Sequence, residues 1–164
     1  MPRWRLAIPV VVLGLVALTP QAFATVDRAD YVTQAETVCQ DDLQTQPHPP
    51  LAAYIPPSQV KQLDDRLLVV IGKSLGVVNK WQKKVTADLA QIPPAPGDES
   101  VVDAWLIAQT HAHQYADRLA RAARRKQRKK FASLERHQGT VLQELDSATS
   151  AFGSPSPFHY CGLV

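Results

Sequence analysis

A long apolar stripe in the middle of the chain limits the fold more than any other feature. Between residues 58 and 92, apolar side chains recur every three or four positions, at Val60, Leu63, Leu67, Val70, Ile71, Val78, Trp81, Val85, Leu89 and Ile92. This spacing places them on one face of an α-helix. Ser58 is a suitable N-cap, and Pro93-Pro94 ends the pattern. The stripe therefore predicts a long central helix whose apolar face the rest of the chain must cover.

Three further segments carry the same helical periodicity. The first covers residues 25–44 with Cys39 on its apolar side, the third begins at Asp98 or Ser100, and the fourth runs from Phe131 to Phe152. Proline-rich connectors separate the first three segments. No stretch shows the convincing alternation of a β-strand. The sequence thus predicts an all-α fold, a four-helix bundle of up-down-up-down topology.

The N-terminal segment predicts export. Arg3 and Arg5 precede an apolar run over residues 6–18, and the small-x-small motif Ala-Phe-Ala follows as a cleavage site. The apolar run is too short to span a bilayer comfortably. We therefore expect residues 1–24 to be a signal peptide and residues 25–164 to form one secreted or extracytoplasmic helical domain, with no transmembrane segment in the mature chain.

Two cysteines, Cys39 and Cys161, stand near opposite ends of the mature chain. An even number of cysteines in an exported protein favours a disulfide, and two cysteines allow one pairing. Closing so long a loop stabilises a fold by about 4–5 kcal/mol in the chain-entropy model. A catalytic thiol at Cys39 or a metal-binding pair is the alternative, although no Cys-x-x-Cys or Cys-His spacing supports either. We expect a bundle closed by one disulfide.

One motif is typical of an enzyme. Gly72-Lys73-Ser74-Leu75-Gly76 matches the G-x-S-x-G nucleophile elbow and follows the apolar run LLVVI, which suits a strand. It makes a secreted serine hydrolase the alternative function, with Ser74 as nucleophile. Its partners would come from Asp88, Asp98 or Asp103 with His111 or His113.

The helical interpretation of this motif is favoured, because the apolar stripe continues through it in phase and the chain offers no series of strands for a hydrolase sheet. Gly72 and Gly76, four residues apart, then share a helical face. They mark either a close approach of a neighbouring helix or a break in the helix.

Other motifs predict no cofactor and no metal. Gly72-Lys73-Ser74 resembles the end of a phosphate-binding loop, but Leu67 occupies the position of the required first glycine. His111 and His113 are two residues apart and point to opposite sides of a helix. We therefore favour surface or core-edge histidines over a pair of haem or metal ligands.

Charge is the strongest local signal. Removal of Arg3 and Arg5 leaves 16 basic and 15 acidic residues, so any charge-dependent function must come from local asymmetry. Eight of the thirteen residues between 118 and 130 are basic and none is acidic. We call this cluster the basic corner; it consists of Arg118, Arg121, Arg124, Arg125, Lys126, Arg128, Lys129 and Lys130.

The basic corner predicts binding to an anionic envelope polymer or lipid surface. The alternative is a solvated corner whose charges suit the C-terminal end of the third helix. Nucleic acid is not expected, because no aromatic residues for base stacking are interleaved with the cations. In the predicted topology the corner shares an end with the junction of the first two helices. We expect Asp41, Asp42, Asp64 and Asp65 to neutralise it in part.

These features together resemble a broad group of small exported actinobacterial helical proteins of unknown function. The similarity rests on Tyr-x-x-x-Ala-Glu-x-x-Cys from Tyr31 to Cys39, on Pro93-Pro94 ahead of a helix with Trp105, and on Cys161-Gly162. It covers most of the mature chain. The resemblance supports the disulfide and implies no activity and no catalytic residue; the lipoprotein cysteine that members often carry is missing here. We expect a non-enzymatic binding or structural module of the cell envelope.

Overall fold

Four α-helices and no strand make up the part of the chain that the structure, a computed structural model, describes, namely residues 27–48 and 62–153. The helices are α1 (Arg28–Leu43), α2 (Asp65–Leu89), α3 (Glu99–Arg124) and α4 (Arg128–Ala151). The all-α prediction is confirmed. The predicted signal peptide and Cys161 lie outside the described residues.

Contacts between successive helices confirm the up-down-up-down topology. At one end of α2, Gly72 packs against Arg124 near the end of α3, while Thr86 further along α2 meets His113 near the middle of α3. The two helices are therefore antiparallel. The hydroxyl of Tyr115 donates to the carbonyl of Leu134, which aligns α4 antiparallel to α3 in the same way.

Aspartates fix where the first two helices begin. Asp64 has an extended backbone (φ −72°, ψ 165°), and its carboxylate accepts from the amide of Leu67 at 2.6 Å. This N-cap satisfies one of the amides that a helix start leaves unpaired. α2 therefore begins at Asp65. The predicted central helix included residues 62–64, and this part of the prediction is wrong. The predicted cap, Ser58, lies outside the described residues.

The first helix is much shorter than the others. It has 16 residues, or about 24 Å of length, against 24 to 26 residues in α2, α3 and α4. At its start, Arg28 pairs with Asp98 before α3. Near its end, the carbonyl of Asp42 accepts from the indole of Trp81, which lies well inside α2. α1 therefore packs along one half of the bundle only.

The core accordingly divides into two clusters. In the α1 half (residues 27–48, 80–115 and 138–153) the buried cluster is Tyr31, Ala35, Cys39, Trp81, Val85, Leu89, Ile92, Val102, Trp105 and Phe152. In the corner half (residues 62–79 and 116–137), together with Tyr115 at its border, the cluster is Leu68, Ile71, Leu119, Ala122, Ala123, Phe131 and Ala132. Of the stripe predicted for the central segment, these lists contain Ile71, Trp81, Val85, Leu89 and Ile92, and Leu63 and Leu67 pack partly buried against the second cluster.

A very close helix contact explains Gly72 in α2. A Cβ atom added to Gly72 would lie 2.7 Å from the amide nitrogen of Arg124 and 2.8 Å from the carbonyl oxygen of Ala120. Both are backbone atoms, which cannot move independently of α3. Of the two interpretations of Gly72 and Gly76, the close approach is confirmed at Gly72, and the helix break is wrong, since α2 continues through both glycines.

Candidate functional site

The basic corner surrounds the tight turn between α3 and α4. The amides of Lys126 and Gln127 donate to the carbonyls of Ala123 and Ala122, both at 2.9 Å. These two bonds form a Schellman motif, in which the residue at the position of Lys126 takes a left-handed backbone and is usually glycine. Lys126 has φ 58° and so adopts this conformation despite its side chain. A cation therefore stands where local backbone energetics favour glycine.

The corner is exposed and nearly free of neutralising carboxylates. Seven of its eight cations are exposed, and Arg128 is half-buried. Within the described residues Asp65 alone pairs with the corner, at 2.6 Å from Arg128 and 3.6 Å from Lys126. The corner thus carries a large surplus of positive charge at one end of the bundle.

The prediction that four carboxylates neutralise the corner is confirmed for Asp65 and wrong for Asp42. Asp65 pairs with the corner, but Asp64 caps α2, and Asp42 lies buried beside Lys84, 2.7 Å from its ammonium group. The cause is the length of α1, which ends next to the middle of the bundle and keeps Asp42 away from the corner. Hydrogen bonds to Asp42 and Asp88 raise the pKa of Lys84.

The start of α4 adds backbone donors to the corner. Gln127 precedes the helix without a side-chain cap, and the first turn contains no acidic residue. The helix dipole places partial positive charge at this end, beside Arg128, Lys129 and Lys130. These residues, with Lys126 and Gln127, line a shallow depression of about 570 Å³. The local arrangement costs α4 stability and suits an external anion.

Two corner arginines have additional packing roles. The stem of Arg124 lies against Gly72, and its guanidinium reaches toward Gly76. The guanidinium of Arg118 is 5.7 Å from the ring centre of Tyr115. Burial, and secondly Glu135, raises the pKa of Tyr115 to about 12, so its phenol remains a donor. The exposed corner cations other than Arg118 and Arg124 are the ones most available to contact a partner.

The structure does not bring the predicted hydrolase residues together. Ser74 is 5% exposed and lies within α2, so it has neither the sharp strand-to-helix turn nor the open hydroxyl of a nucleophile elbow. His111 pairs with Glu144 at 2.7 Å, and His113 bonds to Asn79 and Thr86. Neither histidine is bonded to Ser74.

An interhelical polar cluster, which the sequence analysis missed, lies between α2 and α3. It consists of Asn79, Lys83, Thr86, His113 and Asp117. The amide nitrogen of Asn79 donates to the carbonyl of His113 at 3.0 Å and to Asp117 at 2.8 Å. Because both partners are acceptors, the oxygen of Asn79 must face Nδ1 of His113, 3.0 Å away.

This geometry fixes one proton of the imidazole. Nδ1 of His113 carries a proton and donates to the oxygen of Asn79, and Nε2 lies 2.9 Å from the hydroxyl of Thr86, which donates to it when the imidazole is neutral. Burial, and secondly the charge of Lys83, lowers the pKa of His113, while Asp117 opposes them. The neutral form is thus the one that the surrounding groups accommodate.

The same cluster has the order of a nucleophile, base and orienting amide, in Thr86, His113 and Asn79. Thr86 and His113 are each 8% exposed, however, and Thr86 lies inside a continuous helix. A substrate has no direct approach to the hydroxyl. The cluster therefore serves to align α2 with α3. The sequence did contain a signal for this cluster. His113 and Asp117 are four residues apart, so they lie together on an otherwise apolar face of α3.

Hydrogen bonding also defines the charged end of the cluster. Lys83 donates to Asp117 at 2.7 Å, and this bond is the main cause of the lowered pKa of Asp117. Over residues 27–48 and 62–153 no three His, Cys, Asp or Glu side chains are grouped to hold a metal ion. His113 faces α2 and His111 faces α4, in agreement with the prediction that the two side chains point to opposite sides of their helix.

The remaining predicted site is the disulfide. Cys39 lies in α1 on its buried side, as expected, and is 1% exposed. Because Cys161 lies outside the described residues, the pairing stays a prediction. Among the described helices, none is both long enough and apolar enough to cross a membrane. No protein-family model matches the chain, and no curated protein or solved structure matches it either.

Proposed function

We propose that this chain is an exported, non-enzymatic binding module of the cell envelope, and that the basic corner is its binding surface for phosphate-bearing anions. The observation that carries the proposal is the charge surplus: eight cations at one end of the bundle face a single pairing carboxylate, Asp65, among the described residues. If the corner bound no partner, the mutual repulsion of its cations would lower the stability of the fold without any compensating interaction.

The local structure of the corner supports the same function. Lys126 occupies a backbone position that favours glycine, and a cation-rich first turn opposes the dipole of α4. Each feature lowers the free energy of unfolding by about 1 kcal/mol. Locally unfavourable features of this kind concentrate at functional surfaces. A bound anion offsets the second feature, because it neutralises the cations of the first turn and suits the positive end of the α4 dipole.

The test measures binding of the exported protein to two phosphate-bearing probes, phosphatidylglycerol vesicles and inorganic polyphosphate. The variant replaces Arg124, Arg125, Lys126, Arg128, Lys129 and Lys130 with Gln. We expect it to lose at least about tenfold in affinity, and binding by the unchanged protein to weaken steeply with salt. A control variant with Arg124, Arg125 and Arg128 changed to Lys keeps the charge and should keep most of the binding.

Circular dichroism of each variant establishes that the bundle is folded. Equal binding by the Gln variant and the unchanged protein would remove the corner as the site, and an unchanged protein that binds neither probe would remove the proposed function. The mass of the unreduced exported protein also checks two further expectations, cleavage after residue 24 and the Cys39–Cys161 disulfide. Two freely alkylatable thiols would contradict the disulfide.

The non-enzymatic part of the proposal has its own test. Ser74 is buried in α2 and has no histidine bonded to it. A serine-reactive fluorophosphonate should therefore leave the folded protein unlabelled. Labelling that Ser74→Ala abolishes would establish the alternative, a secreted serine hydrolase.

A further inference from the structure

The bundle separates its charges along its length. The α1 half contains eleven acidic and four basic residues, whereas the corner half contains four acidic and eleven basic residues. Each half thus carries a formal charge of seven, with opposite signs. The nearly neutral net charge of the mature chain conceals this division, which emerges only when the antiparallel helices are aligned.

The two poles are far apart compared with electrostatic screening. α2 has 25 residues, so the bundle is about 37 Å long. The Debye length at physiological ionic strength is about 8 Å. When the bundle stands on its end, screening therefore makes the repulsion between an anionic surface and the acidic α1 half very small. A bundle lying on its side would instead bring the carboxylates of α1 against the surface.

The short extent of the cationic region also favours a surface over a polymer. From Arg118 to Arg124 the corner follows α3 for about 9 Å. Further toward the start of α3 the chain carries Asp103 and Glu99 instead. A phosphate polymer lying along α3 would leave the cations after a few phosphates and meet carboxylates. A flat array of lipid headgroups can contact several of the corner cations at the same time.

The corner contacts a surface without inserting into it. The exposed large apolar side chains among the described residues are Leu43, Val77, Ile107 and Leu142, and none belongs to the corner. Attachment there is electrostatic and increases with the number of nearby cations, by about fivefold for each.

We infer that the partner is an anionic phospholipid surface, which the basic corner contacts end-on while the acidic α1 half points away from it. This inference rests on the proposed function and names its partner and its orientation. The combination of an exposed cationic end and a distant acidic half carries it.

The experiment compares four proteins on vesicles that contain phosphatidylglycerol, on neutral phosphatidylcholine vesicles and with inorganic polyphosphate. They are the unchanged exported protein, the six-fold Gln variant of the corner, Asp65→Asn, and a distal variant. The distal variant carries Asp30→Asn, Glu36→Gln, Asp41→Asn and Asp146→Asn, four exposed or half-exposed carboxylates of the α1 half.

End-on binding gives a clear order of affinities for the anionic vesicles. Removing the charge of Asp65, within the corner, should raise affinity by about fivefold. Removing four charges in the α1 half should change it by less than about twofold, because they lie several Debye lengths from the surface. The six-fold Gln variant should lose at least about tenfold, and neutral vesicles should bind none of the four proteins.

The contrary outcomes are distinguishable. If the distal variant binds anionic vesicles several times more tightly, the protein lies on its side and the orientation is overturned. If polyphosphate binds through the corner and vesicles do not, the partner is a polymer; the lipid inference then fails while the proposed function stands. If the unchanged protein binds neither probe, both fail together.

Discussion

The two halves of this bundle fill their cores in different ways. In the α1 half four helices surround large aromatic side chains, among them Tyr31, Trp81 and Trp105. In the corner half three described helices pack through small residues, and Gly72 brings α2 against the backbone of α3. Wide spacing requires bulky side chains, and close spacing requires small ones. The comparison teaches that one continuous helix can serve both, provided its sequence changes along its length.

The two halves also differ in electrostatics, and polar bonds join them. In the α1 half the cations Arg28 and Lys84 pair with Asp98 and Asp42, and an excess of carboxylates remains. The corner half leaves most of its cations unpaired among the described residues. Between them, Asn79 and His113 fix the register of α2 on α3. Both halves therefore have a buried core, and the candidate binding surface lies at one end.

The strongest test of this division uses two matched phenylalanines. Phe152 in the α1 half and Phe131 in the corner half are each 1% exposed. Replacing either with Ala should lower the free energy of unfolding by about 3–5 kcal/mol. Hydrogen exchange should show α1 loosened by Phe152→Ala, because Phe152 stacks on Tyr31, and the start of α4 loosened by Phe131→Ala. Identical exchange patterns would mean that the two halves open as one unit.

A second test addresses the close contact in the corner half. Gly72→Ala should destabilise the fold by about 1–3 kcal/mol, because the added methyl collides with the backbone of α3. Gly76→Ala is the matched control: its nearest neighbour would be Arg124 at 3.8 Å, so it should stabilise α2 by about 1 kcal/mol. Urea denaturation measures both. Effects of equal sign would contradict the described packing.

A third test examines the junction between the halves through pH. Because burial lowers the folded-state pKa of His113 below its ordinary value of 6.5, folding favours the neutral imidazole. This contribution is fully present above pH 6.5 and is lost as the pH falls through that value toward the folded-state pKa. Urea unfolding between about pH 7.5 and 5 should therefore show decreasing stability. His113→Gln should remove that component, and His111→Gln should retain it. An unchanged slope in His113→Gln would refute the assignment.

The smallest expected stability effect separates stability from binding at the corner. Lys126→Gly should stabilise the protein by about 1 kcal/mol, because glycine adopts φ 58° without strain. The same change should weaken binding to anionic vesicles by about fivefold through the loss of one cation. Thermal denaturation and vesicle sedimentation measure the two quantities. Tighter binding, or a lower melting temperature, would contradict the role given to Lys126.

The sequence by itself determined the helical segments, the turn at Pro93-Pro94 and most of the core, because helical periodicity and proline act locally. Trp105, Phe131 and Phe152 could be assigned to the interior from spacing alone, and they are buried. The basic corner was equally visible, since its cations are neighbours in sequence. These properties require no knowledge of how the helices are paired.

Tertiary structure alone decided which residues meet across helices. Asn79 and His113 are 34 positions apart, and their contact depends on the register of α2 against α3. Because α1 is short, Asp42 lies beside Lys84 and not beside the corner, where it was expected. The role of Gly72 was ambiguous from the sequence, and the close contact with α3 identifies it. The opposite charges of the two halves likewise follow from helix alignment, because residues close in space at each end come from distant parts of the chain.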